Sequence, residues 1–391
     1  MGREIVVGGT EPAKLTLGYR DDNYDDNGYW GQKGRSDDPA NIINDAIFEV
    51  TVRRIAPPPL EISDAVVPIH AIAVSSDGRM LATGGGVAQF GEIVLWDLQL
   101  RQKVGVFKRH PGTVRALAWA PDNARLASAD GSGQIRLWSP TTMLELTGLV
   151  HQRFPSSATS IAFSADGRRL AAANDQGLIR IWYQSQPPRD IVTSLFHEHG
   201  PDTGKLLTVR GLRFSSEGTL LFVAGDREKH HLLGIWDVHQ NKRVGRLTEW
   251  TNPKLPSSAS YFAVTSDNSL LATADETDSA EIHVWAVSKD AKEGIQLSQK
   301  HVLLGHLRSI TGIDFMTFCG RTLIVSASSD KSIRFWDPES GREIAALLLP
   351  EPVSYLQWCE KPARLVVAFR NKDKVAVQVI DPSSVLRDLA R

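Results

Sequence analysis

The sequence has few cysteines and no long apolar run. Its 391 residues include only two cysteines, Cys319 and Cys359, which are too few for a disulfide framework or for the four ligands of a structural zinc site. This usage is typical of a reduced, intracellular protein, and we expect the chain in the cytoplasm. No run approaches the roughly 18 apolar residues of a membrane span, and residues 1–10 lack a basic stretch followed by an apolar one. The sequence therefore predicts neither a membrane span nor export.

An excess of charge of one sign is also missing. Lysine and arginine number 44 and aspartate and glutamate 45, a formal net charge of −1. Without a net positive field the chain has no general attraction to nucleic acid or to anionic lipid, so we expect neither as a partner. With 42% hydrophobic residues, a chain of this length folds and buries a sizeable core.

Recognisable catalytic motifs are absent as well. The sequence shows no nucleophile-and-base motif, no phosphate-binding glycine loop and no cofactor fingerprint. A site assembled from distant segments would escape such a search, so a hydrolase remains a third hypothesis. The favoured prediction is a protein that is not an enzyme and has no cofactor.

One phrase recurs along the chain. A short apolar run ends in tryptophan six times, at intervals of 42 to 54 residues, at Trp96, Trp138, Trp182, Trp236, Trp285 and Trp336. Upstream of most copies, two apolar runs flank a pair such as Asp77-Gly78 or Asp122-Asn123, which tolerates positive φ and predicts a two-residue hairpin turn. A seventh copy at 353–381 has Ile380 in place of tryptophan.

Each copy predicts a small antiparallel sheet that is apolar on nearly both faces. Such a sheet cannot cover both faces by itself, so several copies must pack radially around an axis. The sequence therefore predicts an all-β fold, a seven-bladed β-propeller over 57–391, with residues 1–56 as a short, acidic, β-rich N-terminal appendage. A six-bladed propeller or one with an open seam is the alternative. The seventh copy shows only three strands, and we expect residues 60–66 to supply the fourth and close the ring.

The repeated motifs carry a resemblance. Trp-Asp stands intact at Trp96-Asp97, Trp236-Asp237 and Trp336-Asp337, and Gly305-His306 precedes the sixth copy. Over about 58–381 the chain resembles the WD-repeat family of β-propellers. In the copy at 305–337 the resemblance implies a buried hydrogen-bonded tetrad, formed by His306, a strand serine that is either Ser326 or Ser328, Asp330 and Trp336.

The second copy follows the same pattern with one departure. It keeps His110, Ser128 and Trp138, but Ser132 stands six residues before the tryptophan, where the sixth copy has Asp330. The sequence alone therefore predicts a tetrad without its acid in this copy.

The resemblance also implies a function, a protein-protein interaction scaffold. Members of the family often meet partner proteins or peptides at the face whose loops lead into the first strand of each copy. Basic residues are in mild excess in these loops, so we hypothesise an acidic or carboxylate-bearing partner segment bound by Arg109, Arg153, Lys254 and Arg308. The sequence leaves the oligomeric state open.

The N-terminal segment contains an acidic loop between apolar runs. Carboxylate and amide oxygens crowd this loop and are suited to Ca²⁺; they belong to Asp21, Asp22, Asn23, Asp25, Asp26 and Asn27. An EF-hand alignment places Gly34 where the bidentate Glu belongs, which favours an ordinary solvated turn. The loop weakly resembles the calcium loop of a small bacterial β-sandwich lectin. The alternative function is therefore a calcium- or carbohydrate-binding module that the propeller presents.

Overall fold

The computed structural model contains two compact units, residues 1–55 and residues 56–391. Of the first unit it describes only the strand β1, Arg54–Ile55, so the predicted calcium loop lies outside the described residues. The structure describes residues 54–55, 60–62, 69–87, 90–146, 153–183, 191–197, 208–227, 230–240, 242–248, 261–274, 280–290, 294–361, 363–371 and 374–386. Within these ranges the regular structure is β-strand except for one 3-10 turn, Pro382–Ser384.

The second unit is a ring of seven antiparallel sheets, so the predicted all-β, seven-bladed propeller is confirmed. Blades 1 to 3 consist of β3 (Ile69–Val74), β4 (Met80–Val87), β5 (Phe90–Asp97) and β6 (Gln102–His110); β7 (Val114–Trp119), β8 (Leu126–Asp130), β9 (Ile135–Ser139) and β10 (Leu144–Leu146); and β11 (Ala158–Phe163), β12 (Arg169–Asn174), β13 (Leu178–Tyr183) and β14 (Ile191–His197).

The remaining blades follow the same order of strands. Blades 4 to 6 consist of β15 (Thr208–Phe214), β16 (Leu220–Arg227), β17 (His230–Asp237) and β18 (Lys242–Thr248); β19 (Tyr261–Val264), β20 (Leu270–Ala274), β21 (Ile282–Asp290) and β22 (Gly294–Leu303); and β23 (Ile310–Phe318), β24 (Arg321–Ser328), β25 (Ser332–Trp336) and β26 (Glu343–Leu348). Blade 7 consists of β27 (Val353–Cys359), β28 (Arg364–Asn371), β29 (Lys374–Ile380) and, from upstream in the chain, β2 (Leu60–Ile62).

A separate apolar core lies between each pair of neighbouring blades. The core between blades 7 and 1 joins Cys359, Val366 and Ala368 to Val74 and Leu81, and equivalent cores lie at the other six interfaces. The middle strands of the blades are buried on both faces, which is why their sequences show no polar alternation. Each blade is therefore stabilised mainly by its two neighbours.

Two sets of hydrogen bonds close the ring, in addition to the apolar core between blades 7 and 1. The strand β2 pairs antiparallel with β29, with Leu60 opposite Val377. Between the innermost strands of blades 7 and 1, the Gln357 side chain donates from Nε2 to the Val74 carbonyl at 3.0 Å and accepts from the Val74 N–H at 3.1 Å. The chain start and chain end of the propeller are thus joined by main-chain pairing, by a side-chain amide and by apolar packing.

In blades 1 to 5 the first hairpin turn differs from the two-residue turn that the sequence predicted. In blade 1 the N–H of Ser75 donates to the carbonyl of Met80, so four residues rather than two connect the strands. Only Gly78, the second residue of the predicted pair, has positive φ, at 66°. The Asp77 carboxylate accepts the N–H of Arg79 and so holds the longer turn together.

We predict that removal of β2 destabilises the propeller. A chain that begins at Ser63 lacks the pairing of β2 with β29, and we expect its free energy of unfolding to fall by about 2 kcal/mol relative to a chain that begins at Ala56. Urea unfolding followed by tryptophan fluorescence measures the difference. Equal stability of the two chains would show that β2 does not contribute to closure.

Candidate interaction face and its hydrogen-bonded tetrads

The sixth blade contains a buried chain of four polar side chains. The indole Nε1 of Trp336 donates to Ser326 Oγ at 2.8 Å, Ser326 Oγ lies 2.8 Å from His306 Nε2, and His306 Nδ1 lies 3.0 Å from Asp330 Oδ2. Every group is satisfied when Ser326 donates to Nε2 and Nδ1 donates to the carboxylate. The tetrad serine is Ser326. Ser328 instead donates to the carbonyl of Arg308 at 2.9 Å.

The Asp330 carboxylate links the loop before β23 to the hairpin between β24 and β25. Its Oδ2 accepts the N–H of Leu307 at 2.9 Å, and its Oδ1 accepts the N–H of Ser332 at 2.8 Å. The backbone of Leu307 is therefore held in place while its side chain is 77% exposed. The tetrad acts by positioning this loop and the residues that it displays.

Burial shifts the titration of both ionisable members of this tetrad. Desolvation lowers the pKa of His306 and outweighs the opposing effect of Asp330, so the imidazole is neutral. Burial by itself would raise the pKa of Asp330, but the hydrogen bonds from His306, Ser332 and the backbone of Leu307 hold that pKa well below its usual range. The pair therefore consists of a carboxylate and a neutral ring.

The second blade has a complete tetrad, which corrects the sequence prediction. Trp138 Nε1 donates to Ser128 Oγ at 2.7 Å, Ser128 Oγ lies 2.6 Å from His110 Nε2, and His110 Nδ1 lies 3.0 Å from Asp130 Oδ2. The acid is Asp130, two residues before Ser132, which donates to it from Oγ at 2.7 Å. A motif common to both blades was the missed signal, since Asp-Gly-Ser at 130–132 matches Asp-Lys-Ser at 330–332.

Other blades keep parts of this network. In blades 1 and 5 a threonine takes the place of the serine, because Trp96 Nε1 donates to Thr83 Oγ1 at 3.1 Å and Trp285 Nε1 donates to Thr273 Oγ1 at 3.0 Å. In blade 3, Asn174 stands where blade 2 has Asp130, and its Oδ1 accepts the N–H of Leu178 at 2.8 Å. The propeller thus tolerates variation in the tetrad, because apolar packing holds each blade.

The aspartate of each intact Trp-Asp pair caps the turn that follows it. Asp97 Oδ1 accepts the N–H groups of Gln99 and Leu100, both at 2.9 Å, and Asp237 and Asp337 make the corresponding bonds. These carboxylates stabilise the turn between the third and fourth strands. Their role in this structure is structural.

We call the face on which the innermost strand of each blade begins the upper face. The hypothesised partner residues Arg153 and Arg308 are exposed there, and Arg153 Nε donates to the Ser132 carbonyl at 2.5 Å. Arg109 lies in β6, next to His110, and Lys254 lies outside the described residues.

The structure adds exposed apolar side chains to the upper face. Leu304 and Leu307 lie in the loop that leads into blade 6 and are 66% and 77% exposed. Val87 and Phe90 lie at the second hairpin of blade 1 and are 56% and 75% exposed. Sequence reasoning missed them because apolar residues in a loop do not reveal whether the fold covers them.

The central channel contains a cavity of about 440 Å³ between the innermost strands of blades 3 to 7. Arg213 of blade 4 reaches past blade 5 to Asp314 of blade 6, with Nη2 and Oδ1 2.8 Å apart. Burial raises the pKa of Tyr355, which also lines this cavity. The carboxylate in this cavity, Asp314, also accepts the N–H of Trp358 at 3.3 Å.

The predicted calcium ligands lie outside the described residues, so their geometry stays a prediction. Among the residues that the structure does describe, no group of three or more His, Cys, Asp or Glu side chains is arranged to hold a metal ion.

Comparisons with known protein families and solved structures agree with the repeats and the propeller fold described above. The family model described as WD domain, G-beta repeat, matches residues 101–139, 149–183 and 297–337. The first and third matches contain the two complete tetrads. A crystal structure of the Cps50 (Swd1) β-propeller domain from Myceliophteria thermophila superposes with a TM-score of 0.62 at 15% identity, over 80% of this chain and 97% of that one. At this identity the likeness shows the fold alone.

Two sequence relatives come from Arabidopsis thaliana. Protein ROOT INITIATION DEFECTIVE 3 is 23% identical over 317 residues, 80% of this chain and 58% of that protein. A U3 snoRNP-associated protein-like relative, EMB2271, is 41% identical over 69 residues, 18% of this chain and 14% of that protein. The chain therefore matches less than two thirds of the length of either relative.

We predict that Asp130, and not Ser132, is the essential partner of His110. The substitution Asp130→Asn removes a buried charged acceptor and should lower the free energy of unfolding by about 2–3 kcal/mol. Ser132→Ala, the matched control, removes one hydroxyl from the same turn and should cost about 1 kcal/mol or less. Urea unfolding of the three chains provides the comparison, and an equal loss in both variants would contradict the assignment.

The tetrad of blade 6 should also contribute a pH-dependent stability. Because the pKa of Asp330 is lower in the folded chain than in the unfolded chain, its carboxylate stabilises the fold fully above about pH 4, and this contribution declines as the pH falls further. The wild-type chain should thus be more stable than Asp330→Asn by about 2 kcal/mol at neutral pH, and the difference should shrink below about pH 4. Urea unfolding over a pH series tests this, and a constant difference would contradict it.

Proposed function

Because this chain belongs to the WD-repeat propeller family, we propose that it is a non-enzymatic scaffold that holds a protein or peptide partner on its upper face. Propellers of this family typically serve as interaction scaffolds. The observation that carries the proposal is the loop of blade 6, in which Asp330 holds the backbone of Leu307 while the side chain points into solvent. A rigid loop loses little conformational entropy when a partner binds.

The chemistry of this loop favours an acidic partner segment with an apolar side chain. Arg308 and Lys331 are exposed on the same face as the apolar Leu304 and Leu307. Lys331 Nζ donates to the carbonyl of Pro350 at 3.0 Å. Apolar anchors surrounded by basic groups combine burial with charge-assisted hydrogen bonds. We propose that the partner is a protein rather than nucleic acid or membrane, in keeping with the balanced charge of the chain.

The proposal includes no cofactor and a cytoplasmic location. Cys319 is exposed and Cys359 buried, and both thiols are free; burial raises the pKa of Cys359 to about 12, so its thiol stays protonated. Free thiols of this kind suit a reducing compartment. No helix among the described residues is long and apolar enough to cross a bilayer.

Affinity capture tests the scaffold role. The full chain is used as bait, bound proteins are identified by mass spectrometry, and capture is repeated with Leu307→Ser and Arg308→Glu. We expect each substitution to reduce capture of a specific partner at least about tenfold, because anchors of this kind contribute 2 kcal/mol or more in typical interfaces.

A matched control separates this face from the rest of the surface. Arg168 is exposed in the first turn of blade 3, on the opposite face, and Arg168→Glu should leave capture unchanged. All three variants should keep the melting temperature of the wild-type chain, since the altered side chains are exposed. Capture that survives both upper-face substitutions would overturn the proposal.

A further inference from the structure

Three exposed apolar side chains lie on the outer rim of the ring, where blade 1 adjoins blade 2. Leu100 is in the turn between β5 and β6, Val104 is in β6, and Leu144 begins β10. They are 60%, 46% and 61% exposed, and we call these three residues the outer apolar patch. Single exposed apolar residues are ordinary on a protein surface, whereas a cluster marks a site of association.

Direct contact between the two blades brings two members of the patch together. The strand β6 packs on Met143 at Gly105, where a Cβ atom would lie 2.3 Å from Met143 Cε. Val104 precedes Gly105 in the chain and Leu144 follows Met143. Both exposed side chains therefore belong to the same seam between blades 1 and 2.

The third member lies in a turn that is held against this seam. Asp97 Oδ1 accepts the N–H of Leu100 at 2.9 Å, and Asp97 also pairs with Gln102 at the start of β6. Further along β6, Phe107 stacks on Trp138 of blade 2 with ring centroids 4.6 Å apart. The backbone under the patch is thus fixed, so a partner that binds there orders little of the protein.

Other blades have polar residues at the two leucine positions. Leu100 is the fourth residue after its tryptophan, where blade 6 has Ser340. Leu144 lies opposite the residue that follows its tryptophan, where blades 4 and 5 have Lys242 and Ser298. The fold accepts polar side chains at both positions, so the packing of a blade does not require these leucines.

The exposed charges beside the patch are positive. Arg101 and Lys103 are exposed on either side of Gln102. Within the part of the chain that the structure describes, neither side chain makes an ion pair or a hydrogen bond. Residues 98–104 and 139–144 contain no acid, so a ligand that approaches the patch meets uncompensated basic groups.

The acids that flank these two segments are paired inside the protein. Asp97 is only 4% exposed and accepts from Arg79 Nε at 3.2 Å. Glu145 Oε2 lies 2.5 Å from Arg136 Nη1, and both side chains are largely buried. Their negative charge therefore does not cancel the basic character of the exposed surface.

We propose that the outer apolar patch binds an acidic amphipathic segment of a partner protein. Apolar side chains of the segment cover the patch, and its carboxylates pair with Arg101 and Lys103. The patch lies on the rim, apart from the loop of blade 6 that displays Leu307, so this surface is additional to the one proposed above and does not depend on it.

Site-directed photo-crosslinking on the full chain identifies the bound segment. A benzophenone amino acid replaces Gln102, which is exposed between the two basic residues, and the chain is irradiated in cell extract. We expect the cross-linked peptide, sequenced by mass spectrometry, to contain aspartate or glutamate next to large apolar residues. A peptide without acids, a peptide of this chain itself, or no cross-linked peptide at all would overturn the proposal.

Fluorescence anisotropy with the identified segment, synthesised and labelled, then tests the residues. Leu100→Ser and Leu144→Ser introduce the residue that another blade has at the same position, and each should weaken binding at least about tenfold. Lys103→Glu should weaken it by about tenfold, and more at low salt than at high salt, because it replaces attraction by repulsion.

Two matched variants act as controls. Leu307→Ser makes the same chemical change on the upper face, and Lys242→Glu reverses an exposed charge on the outer rim of blade 4. Both should leave binding of the segment unchanged, and all five variants should keep the melting temperature of the wild-type chain.

The outcomes separate this surface from the upper face. Loss of binding in Leu307→Ser, with no effect of Leu100→Ser or Leu144→Ser, would assign the segment to the upper face. That result would overturn the outer patch as a docking site and leave the scaffold proposal in place.

Discussion

The structure depends on the burial of apolar surface. A four-stranded sheet with apolar side chains on both faces is not stable while these faces are exposed to water, and each face is covered only by another sheet of the same kind. Seven sheets in a ring satisfy this condition for every blade, and the seven cores between them show that no interface is left open. The stability of each blade is therefore a property of the ring.

This arrangement explains why the polar motifs vary while the fold persists. Blades 2 and 6 have complete tetrads, blades 1 and 5 keep a hydroxyl partner for the tryptophan, and blade 7 has Ile380 in place of tryptophan. A tetrad adds satisfied hydrogen bonds to a blade that packing already holds. Its particular contribution is local, since it fixes a loop such as the one that displays Leu307.

Rigid turns also determine the chemistry of the two faces. On the upper face a tied backbone exposes apolar and basic side chains together. On the opposite face, Asp337 caps its own turn and Glu339 forms an ion pair with Lys300. In both places the hydrogen bonds within the protein, more than the residue count, decide what a surface offers to a ligand.

The fold was predictable from the sequence because it rests on a repeat. The recurring tryptophan phrase, with strands apolar on both faces, is compatible with a ring of sheets and with few other arrangements. Because the last copy shows only three strands, its fourth strand was predicted to come from the segment before the first copy. The weak points were local. The turn at Asp77-Gly78 proved longer than the pair suggests, because Asp77 supports extra residues through side-chain bonds that spacing does not reveal.

The details of the sites depended on distances across the chain. Spacing from the tryptophan pointed to position 132 in blade 2, yet the loop brings His110 to Asp130, because a side chain meets whichever acceptor the folded backbone places within reach. The choice between Ser326 and Ser328 was settled in the same way, as was the exposure of Leu307. Periodicity along a chain thus determines the architecture, whereas partnership and exposure arise from contacts between residues far apart in sequence, which only folding brings together.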